Sequence, residues 1–289
     1  MPAPLLGVLL QLSALVLFVC MDTLVKLLTA SYAVPQLMWA RFLFSLLAAA
    51  LVIRLTTGQF PWRSRAPGLQ AIRSLMLAGC NLMFSTALVE VPLADCTAIG
   101  FASPLFTVAL ARWWLGEKVS LRRWVGVITG LVGVVIALRP PFLFGGTPPP
   151  PAALLVLGTA LLFACYQILT RKLAGVDKAH TTILHTGFAA SIVTSLAQPF
   201  IWTWPTLTDW GLLVALGALG GAGHGLLVLA FARAPASLLS PLSYSQLIWA
   251  MLAGVLVFGD WPQPIALLGM CIIVAGGVLV AIPERRRPT

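Results

Sequence analysis

Three charged residues lie inside long apolar segments in the first part of this 289-residue chain. Asp22 and Lys26 are four residues apart in the first segment, and this spacing places them one turn apart on one face of a helix. Arg41 lies in the next segment. An ionisable side chain at the centre of a membrane helix costs about 2.5–3.5 kcal/mol, so it usually faces a partner or a wet cavity. The three residues are therefore candidates for binding a polar solute.

The net charge of this group indicates what it would bind. One carboxylate and two cations leave an excess positive charge, which suits a carboxylate or phosphate on the solute. Asp22 would then hold an amine or accept a proton. These residues leave one alternative open, a structural salt bridge between the first two helices with Lys26 extended to the membrane surface.

Uncharged polar residues in later apolar segments extend the candidate site. They are Asn81, Tyr166, Gln167, His224, Tyr244 and Gln246. Such side chains line polar cavities, but they also join membrane helices through hydrogen bonds worth about 0.6–2 kcal/mol. Tyr244 and Gln246 point in different directions on one helix, and Tyr244 is the preferred ligand of the two. His224 would take up and release protons near neutral pH, which makes it a candidate for coupling to a proton gradient.

Two prolines interrupt apolar segments that would otherwise form continuous helices. Pro104 lies in the middle of the fourth segment and Pro241 about one turn into the ninth. Each proline removes a backbone hydrogen bond and bends its helix. The sequence leaves open whether these bends are hinges or simple kinks.

The chain lacks the usual signatures of catalysis and metal binding. The cysteines occur singly in apolar segments, at Cys20, Cys80, Cys96, Cys165 and Cys271. Neither CxxC nor HExxH nor GxSxG occurs, and the three histidines lie on separate segments. The sequence therefore predicts no catalytic residues, no metal and no cofactor, and it argues against an enzyme.

The elements that carry these residues are apolar segments long enough to cross a bilayer. The chain is 60% hydrophobic and only 9% charged, whereas a soluble domain carries about 25% charged residues. A membrane helix needs about 20 mostly apolar residues. Ten such segments occur, near 5–29, 36–54, 70–90, 93–114, 121–138, 152–172, 181–202, 210–232, 236–257 and 264–282. The predicted fold class is all-α integral membrane, with ten transmembrane helices.

The basic residues predict the orientation of these helices. If the N-terminus is cytoplasmic, fifteen of the eighteen Lys and Arg residues, Arg73 among them, fall in cytoplasmic segments. Both termini would then be cytoplasmic, and Asp22 and Lys26 would lie in the outer half of the membrane. The formal charge of +10 belongs to these loops. We therefore do not expect a nucleic-acid partner.

The two halves of the chain resemble each other. A shift of 143 residues places Pro92 on Pro235, Glu117 on Asp260 and Asn81 on His224, and a shift of 145 aligns Lys26 with Arg171. The predicted division is a first five-helix repeat at 1–139, a proline-rich outer linker at 140–151, and a second repeat at 152–289 with a short basic cytoplasmic tail. Because five is odd, the second repeat enters the membrane inverted. Inverted repeats place a solute site near the midplane and allow alternating access.

Several blocks of sequence resemble the drug/metabolite transporter superfamily, specifically the EamA-type transporters. The first half contains "DTLVKLLTASYAVPQLMWARF", with Lys26, Pro35 and Arg41 at the family spacing, and an LGE turn at 115–117. The second half contains "LLFACYQILTRKLA" and "ARAPASLLSPLSYSQLIWAMLAGVLVFGD", in which FGD replaces the commoner LGE. The resemblance covers nearly the whole chain. It implies an inverted-repeat carrier of metabolites and leaves the solute unspecified.

The expected function is secondary-active transport of a small polar metabolite, amino-acid-like or otherwise zwitterionic or anionic, across a bacterial inner membrane. A passive channel or facilitator for small solutes is the alternative. The expected partners are the small-molecule substrate and membrane lipid. Glycines at helical spacing on the fifth and eighth segments favour close helix packing within a monomer, and a homodimer through helices 5 and 10 is the second possibility.

Overall fold

A computed structural model of the chain describes residues 3–87, 99–138, 141–144, 151–259, 261 and 264–281. The regular structure within these ranges is helical throughout. The principal helices are α1 (Ala3–Leu28), α2 (Val34–Thr57), α3 (Pro67–Ala87), α4 (Ser103–Trp114), α5 (Leu121–Leu138), α6 (Ala153–Leu173), α7 (Ala179–Ser195), α8 (Leu207–Arg233), α9 (236–258) and α10 (Pro264–Ala281). Short helical turns at Pro141–Phe144 and Gln198–Ile201 lie between them.

Six of the described helices are long and apolar enough to cross a membrane. They are α1, α2, α5, α6, α8 and α9. The C-terminal helix is apolar but shorter by the same measure. Within the described ranges α4 has 12 residues and α7 has 17. The chain is therefore a multi-pass membrane protein.

The ninth helical segment, α9, consists of four consecutive pieces. An α-helical turn at Ala236–Leu239 leads into a 3-10 helix at Ser240–Ser245, an α-helix at Gln246–Ala253 and a π-helical turn at Gly254–Phe258. Pro241 is the second residue of the 3-10 helix. Because proline lacks an N–H, this change in helix type occurs where the regular hydrogen-bond pattern is broken.

Pro104 lies directly after a break in the fourth helical segment. The sequence places it in the middle of a continuous fourth helix. In the structure α4 begins at Ser103, and Pro104 occupies its first turn after a turn at residues 101–102. A proline is tolerated there because the first helical N–H groups have no partner inside the helix. The helical segment is thus interrupted immediately before Pro104, and whether this break acts as a hinge stays a prediction.

The most extensive helix contacts join the two halves and occur in related pairs. Helix α1 packs on α8, and its repeat counterpart α6 packs on α3. Helix α2 packs on α8, and its counterpart α7 packs on α3. Helices α5 and α10, the last of each half, pack on each other. The repeat in the sequence is thus matched by a repeat in the packing.

Glycines let α5 and α10 approach closely. A Cβ at Gly133 would lie 2.8 Å from the carbonyl oxygen of Gly269, and a Cβ at Gly276 would lie 2.9 Å from that of Gly126. A shift of 143 residues converts the first contact into the second. The predicted close packing is thus confirmed for α5, whose glycine face is used inside the chain.

Candidate functional site

Arg73 is the most deeply buried cation that the structure describes. It lies on α3 with 0% of its surface exposed. Its Nε donates to Thr170 Oγ1 at 2.7 Å, and its Nη2 donates to the Tyr166 hydroxyl at 3.1 Å and to Thr186 Oγ1 at 3.0 Å. The guanidinium also lies 4.6 Å from the centre of the Tyr166 ring, within the range of a cation–π interaction. Arg73 therefore ties α3 to α6 and α7.

This position differs from the one predicted from the sequence, where Arg73 is one of the basic residues of the cytoplasmic segments. The side chain is enclosed by three helices instead of being exposed in a loop. The sequence does contain a signal for this burial, because Arg73 falls inside the predicted span 70–90. Besides the three hydroxyl groups, Arg73 Nη1 donates to the Thr182 carbonyl at 3.4 Å, so these described contacts solvate the positive charge without a carboxylate.

Tyr166 connects Arg73 to His224. The Tyr166 hydroxyl lies 3.1 Å from His224 Nδ1, and His224 on α8 is 5% exposed. The other imidazole nitrogen, Nε2, is buried and has no hydrogen-bond partner among the described residues. The Phe18 ring of α1 meets the imidazole edge-on, with the ring centres 4.9 Å apart. Arg73, Tyr166 and His224 thus form a chain of polar contacts across the helices.

Arg41 lies beside this chain. A Cβ placed on Gly220 would be 3.5 Å from Arg41 Cγ and 3.8 Å from Arg41 Nε. Gly220 is one helical turn before His224 on α8, so Arg41 and His224 lie along the same part of that helix. Arg41 interacts electrostatically with His224 and with Asp22. Its Nε is buried and has no partner among the described residues.

Asp22 is the accessible member of the group. Its side chain is exposed in the second half of α1. Gln246 Nε2 of α9 donates to Asp22 Oδ2 at 3.4 Å. Lys26, in the last turn of α1, is also exposed.

Three of the predicted site residues lie away from this group. Asn81 donates to the Leu77 carbonyl of its own helix at 2.7 Å. Gln167 faces α4, where its Oε1 accepts a hydrogen bond from Thr107 at 3.4 Å. Tyr244 is 1% exposed and packs against Gly130 of α5, and its hydroxyl has no partner among the described residues.

The structure therefore separates the two candidates on α9. Gln246, and not Tyr244, lies beside Asp22. Tyr244 belongs to an apolar cluster formed by α4, α5, α9 and α10, because the 3-10 helix turns it toward α5. Helical spacing gives the angle between two side chains, but it does not give the rotation of an irregular helix relative to its neighbours.

One hydrogen bond joins the segments that contain the two prolines. Ser240 Oγ, next to Pro241, donates to the Pro104 carbonyl at 3.0 Å. Both prolines are buried. The breaks in two helices that correspond in the repeat are therefore held together.

The LGE turn of the first half binds the start of α9 in the second half. Glu117 Oε1 accepts the Ala236 N–H and its Oε2 accepts the Ser237 N–H, both at 3.1 Å. Arg171 Nε lies 3.7 Å from Glu117 Oε1. A carboxylate is stabilised at the start of a helix by the free N–H groups and the helix dipole. Asp260, the counterpart of Glu117 in the repeat, lies outside the described residues.

Two loops make corresponding contacts with the opposite half. In the loop after α1, the Tyr32 hydroxyl donates to Asp209 Oδ2 at 2.6 Å. In the loop after α6, Asp177 accepts hydrogen bonds from the Ser64 hydroxyl, the Arg65 N–H at 2.8 Å and Gln70 Nε2 at 2.9 Å. Burial acts to raise the pKa of Asp177, but these hydrogen bonds outweigh it, so the pKa lies below its ordinary value.

An apolar groove of about 500 Å³ lies apart from the polar group. It contains none of the predicted site residues. It is lined by Leu46, Leu47, Ala50, Phe60, Trp62 and Phe188. Elsewhere in the described residues, no group of three or more His, Cys, Asp or Glu side chains is placed to hold a metal ion.

Comparison with known proteins agrees with this architecture. The chain is 28% identical over 294 residues to a riboflavin transporter of Vibrio cholerae, covering 98% of this chain and 95% of the relative. It is 27% identical to an S-adenosylmethionine uptake transporter of Rickettsia bellii, over 79% of this chain and 77% of the relative. It is 25% identical to a pseudopaline exporter of Pseudomonas aeruginosa, over 96% of this chain and 93% of the relative.

The fold itself is also known. A crystal structure with 22% sequence identity superimposes with a TM-score of 0.79 and covers 96% of both chains. Residues 5–139 and 150–282 each match the EamA-like transporter family, so the two repeats are both recognised. The relatives are named as transporters and not as enzymes. The chain therefore belongs to the EamA-like transporter family and is a membrane transporter of small metabolites.

Proposed function

We propose that the protein is a secondary-active carrier that moves a zwitterionic or anionic metabolite by alternating access. One observation carries this proposal. The buried Arg73 and the buried Nε of Arg41 lie in the same polar group as His224, and this group also contains the exposed carboxylate of Asp22. Charged groups inside a membrane protein usually mark a solute pathway, because they are costly to keep there.

In the proposed arrangement ten helices cross the membrane as two inverted five-helix repeats. The boundaries are 1–139 and 152–289, joined by the linker at 140–151. The paired contacts of α1 with α8 and of α6 with α3 support this symmetry, because both pairs join corresponding helices of opposite halves. The site lies between the halves, as inverted repeats favour. Pro104 and Pro241, joined through Ser240, are the proposed hinge.

We place the protein in a bacterial inner membrane with both termini in the cytoplasm. The basic loops support this orientation. The sequence contains no P-loop, so the proposed driving force is an ion gradient, exchange or the gradient of the substrate itself. One chain supplies all the site residues, which supports a monomer as the transporting unit.

The substrate is tested first by stabilisation of the purified protein. A ligand that binds only the folded state raises the melting temperature. A metabolite library that includes S-adenosylmethionine, riboflavin and the amino acids is expected to contain compounds that raise it. The hits are then tested for uptake into proteoliposomes, and tags on both termini report the orientation.

Flux measurements separate a carrier from a passive channel. A carrier shows saturable uptake that is stimulated by substrate on the opposite side. Flux that rises linearly with concentration, without stimulation by counter-substrate, would favour the channel. Termini found on opposite sides of the membrane would contradict the inverted-repeat topology.

A further inference from the structure

We propose that Arg73, acting through Tyr166, fixes His224 as the tautomer that carries its proton on Nε2. We also propose that His224 Nε2–H and Arg41 Nε–H together bind a carboxylate of the substrate. This inference rests on the proposed function and deepens it, because it names the substrate group and the atoms that bind it.

The first step is the direction of the hydrogen bonds. Arginine can only donate, so the Tyr166 oxygen accepts the bond from Arg73 Nη2. Tyr166 has one hydroxyl proton, and His224 Nδ1 at 3.1 Å is the acceptor that the structure offers it. His224 Nδ1 must then carry a lone pair. A neutral imidazole with a lone pair on Nδ1 has its proton on Nε2.

The second step is the charge of His224. Protonation would place a second donor opposite the Tyr166 hydroxyl. It would also place an imidazolium near two cations, because Arg73 Nη2 lies 3.1 Å from the same Tyr166 hydroxyl and Arg41 lies alongside Gly220, one turn from His224. The facing group on α1 is the uncharged Phe18 ring. The surroundings therefore favour the neutral imidazole.

The third step is the pair of unused donors. His224 Nε2 and Arg41 Nε are both buried without a partner among the described residues. Arg41 lies alongside Gly220, one turn from His224 on α8. Two N–H groups on neighbouring helices supply one donor for each of the two oxygens of a carboxylate. Because both atoms are enclosed, the carboxylate reaches them when the helices separate, while Asp22 remains accessible for a substrate amine.

Arg73 and Tyr166 are positioning residues in this scheme, and their role has a readout independent of transport. The full-length protein, labelled with 15N-histidine, contains three imidazoles, and His224→Gln assigns the His224 signals. The expected spectrum shows an unprotonated Nδ1 and a protonated Nε2 between pH 6 and 8. In Tyr166→Phe the ring remains but the donor is lost, so the Nδ1–H form or imidazolium appears. A wild-type spectrum with a protonated Nδ1 would overturn the relay.

The carboxylate is tested with matched compounds. Wild-type protein is screened for thermal stabilisation by the amino acids, their amides and phosphate monoesters of similar size. Stabilisation by acids that is lost in the amides supports the donor pair, and hits confined to amides or phosphate esters overturn it. Arg41→Lys keeps the charge but removes the Nε–H, and we expect at least tenfold weaker binding. Arg54→Lys, at the exposed end of the same helix, is the matched control.

The two proposals can fail separately. If no compound stabilises the protein, both the carboxylate site and the proposed function are contradicted, while the histidine spectrum still decides the relay. If hits are transported but lack a carboxylate, the carrier function stands and the donor pair is overturned.

Discussion

The Tyr166 hydroxyl lies 3.1 Å from His224 Nδ1 and joins α6 to α8 within the second half of the chain. The same hydroxyl accepts a hydrogen bond from Arg73 on α3, which belongs to the first half. One oxygen atom thus connects a cation of one repeat to an imidazole of the other. A change at this atom is expected to affect the site with little effect on the surrounding apolar packing.

Removal of this hydroxyl is therefore the first prediction. Tyr166→Phe is expected to reduce uptake of the best stabilising compound by about 10- to 100-fold, since two hydrogen bonds to charged or imidazole groups are lost. Tyr244→Phe is the matched control, because the Tyr244 hydroxyl has no partner in the described structure. Proteoliposome uptake measures both variants. Equal uptake by the two variants would contradict a role for Tyr166.

The fork geometry of Arg73 gives the second prediction. Arg73→Lys keeps the charge but cannot bond to Thr170, Tyr166 and Thr186 together. We expect a lower melting temperature and a loss of unfolding free energy of about 2–4 kcal/mol, because buried hydroxyl groups are left without their donor. Arg63→Lys, on an exposed side chain, should change neither quantity. Unfolding in detergent would show whether the two variants differ.

Asp22 and His224 differ in their expected effect on coupling. If transport depends on a proton gradient, Asp22→Asn should abolish that dependence, because Asp22 is an accessible carboxylate. His224→Gln should weaken uptake but retain the dependence, because the tautomer argument keeps His224 neutral. Uptake with and without a gradient compares them. Loss of the dependence in His224→Gln alone would restore the original prediction that His224 is the coupling group.

Asp177 gives a prediction about pH and stability. Its pKa in the folded protein is below the ordinary value of 3.8, so it stabilises the protein above that value. The stabilisation is lost as the pH falls through the lowered pKa. Asp177→Asn should therefore cost about 1 kcal/mol at pH 7, a modest value because the carboxylate is partly exposed, and nothing at the acid limit.

Thermal unfolding from pH 7 down to a pH well below 3.8 checks this dependence. Lys178→Gln, which changes the exposed neighbouring residue, is the control. A deficit in Asp177→Asn that stays constant down to the lowest pH would show that the carboxylate charge is not the cause.

Part of the site was predictable from residue type and depth alone. The sequence identifies five polar groups in apolar segments that the structure places near one another or in direct contact. They are Asp22, Arg41, Tyr166, His224 and Gln246. Arg73 was missed because a cation near the end of a helix is usually exposed in a loop. The preference for Tyr244 over Gln246 assumes the side-chain directions of a regular α-helix. Tyr244 lies in a 3-10 segment, where these directions differ.

The sequence alone determined that this chain is a helical membrane protein with two related halves. Hydropathy over about 20 residues and the repeat of glycines and prolines are local or periodic properties, so they can be read without coordinates. Only the tertiary structure decided which polar groups meet. Arg73 and Tyr166 are 93 residues apart, and their contact depends on how α3 and α6 are rotated about their axes. That rotation follows from the packing of both helices against their neighbours, which no single segment contains.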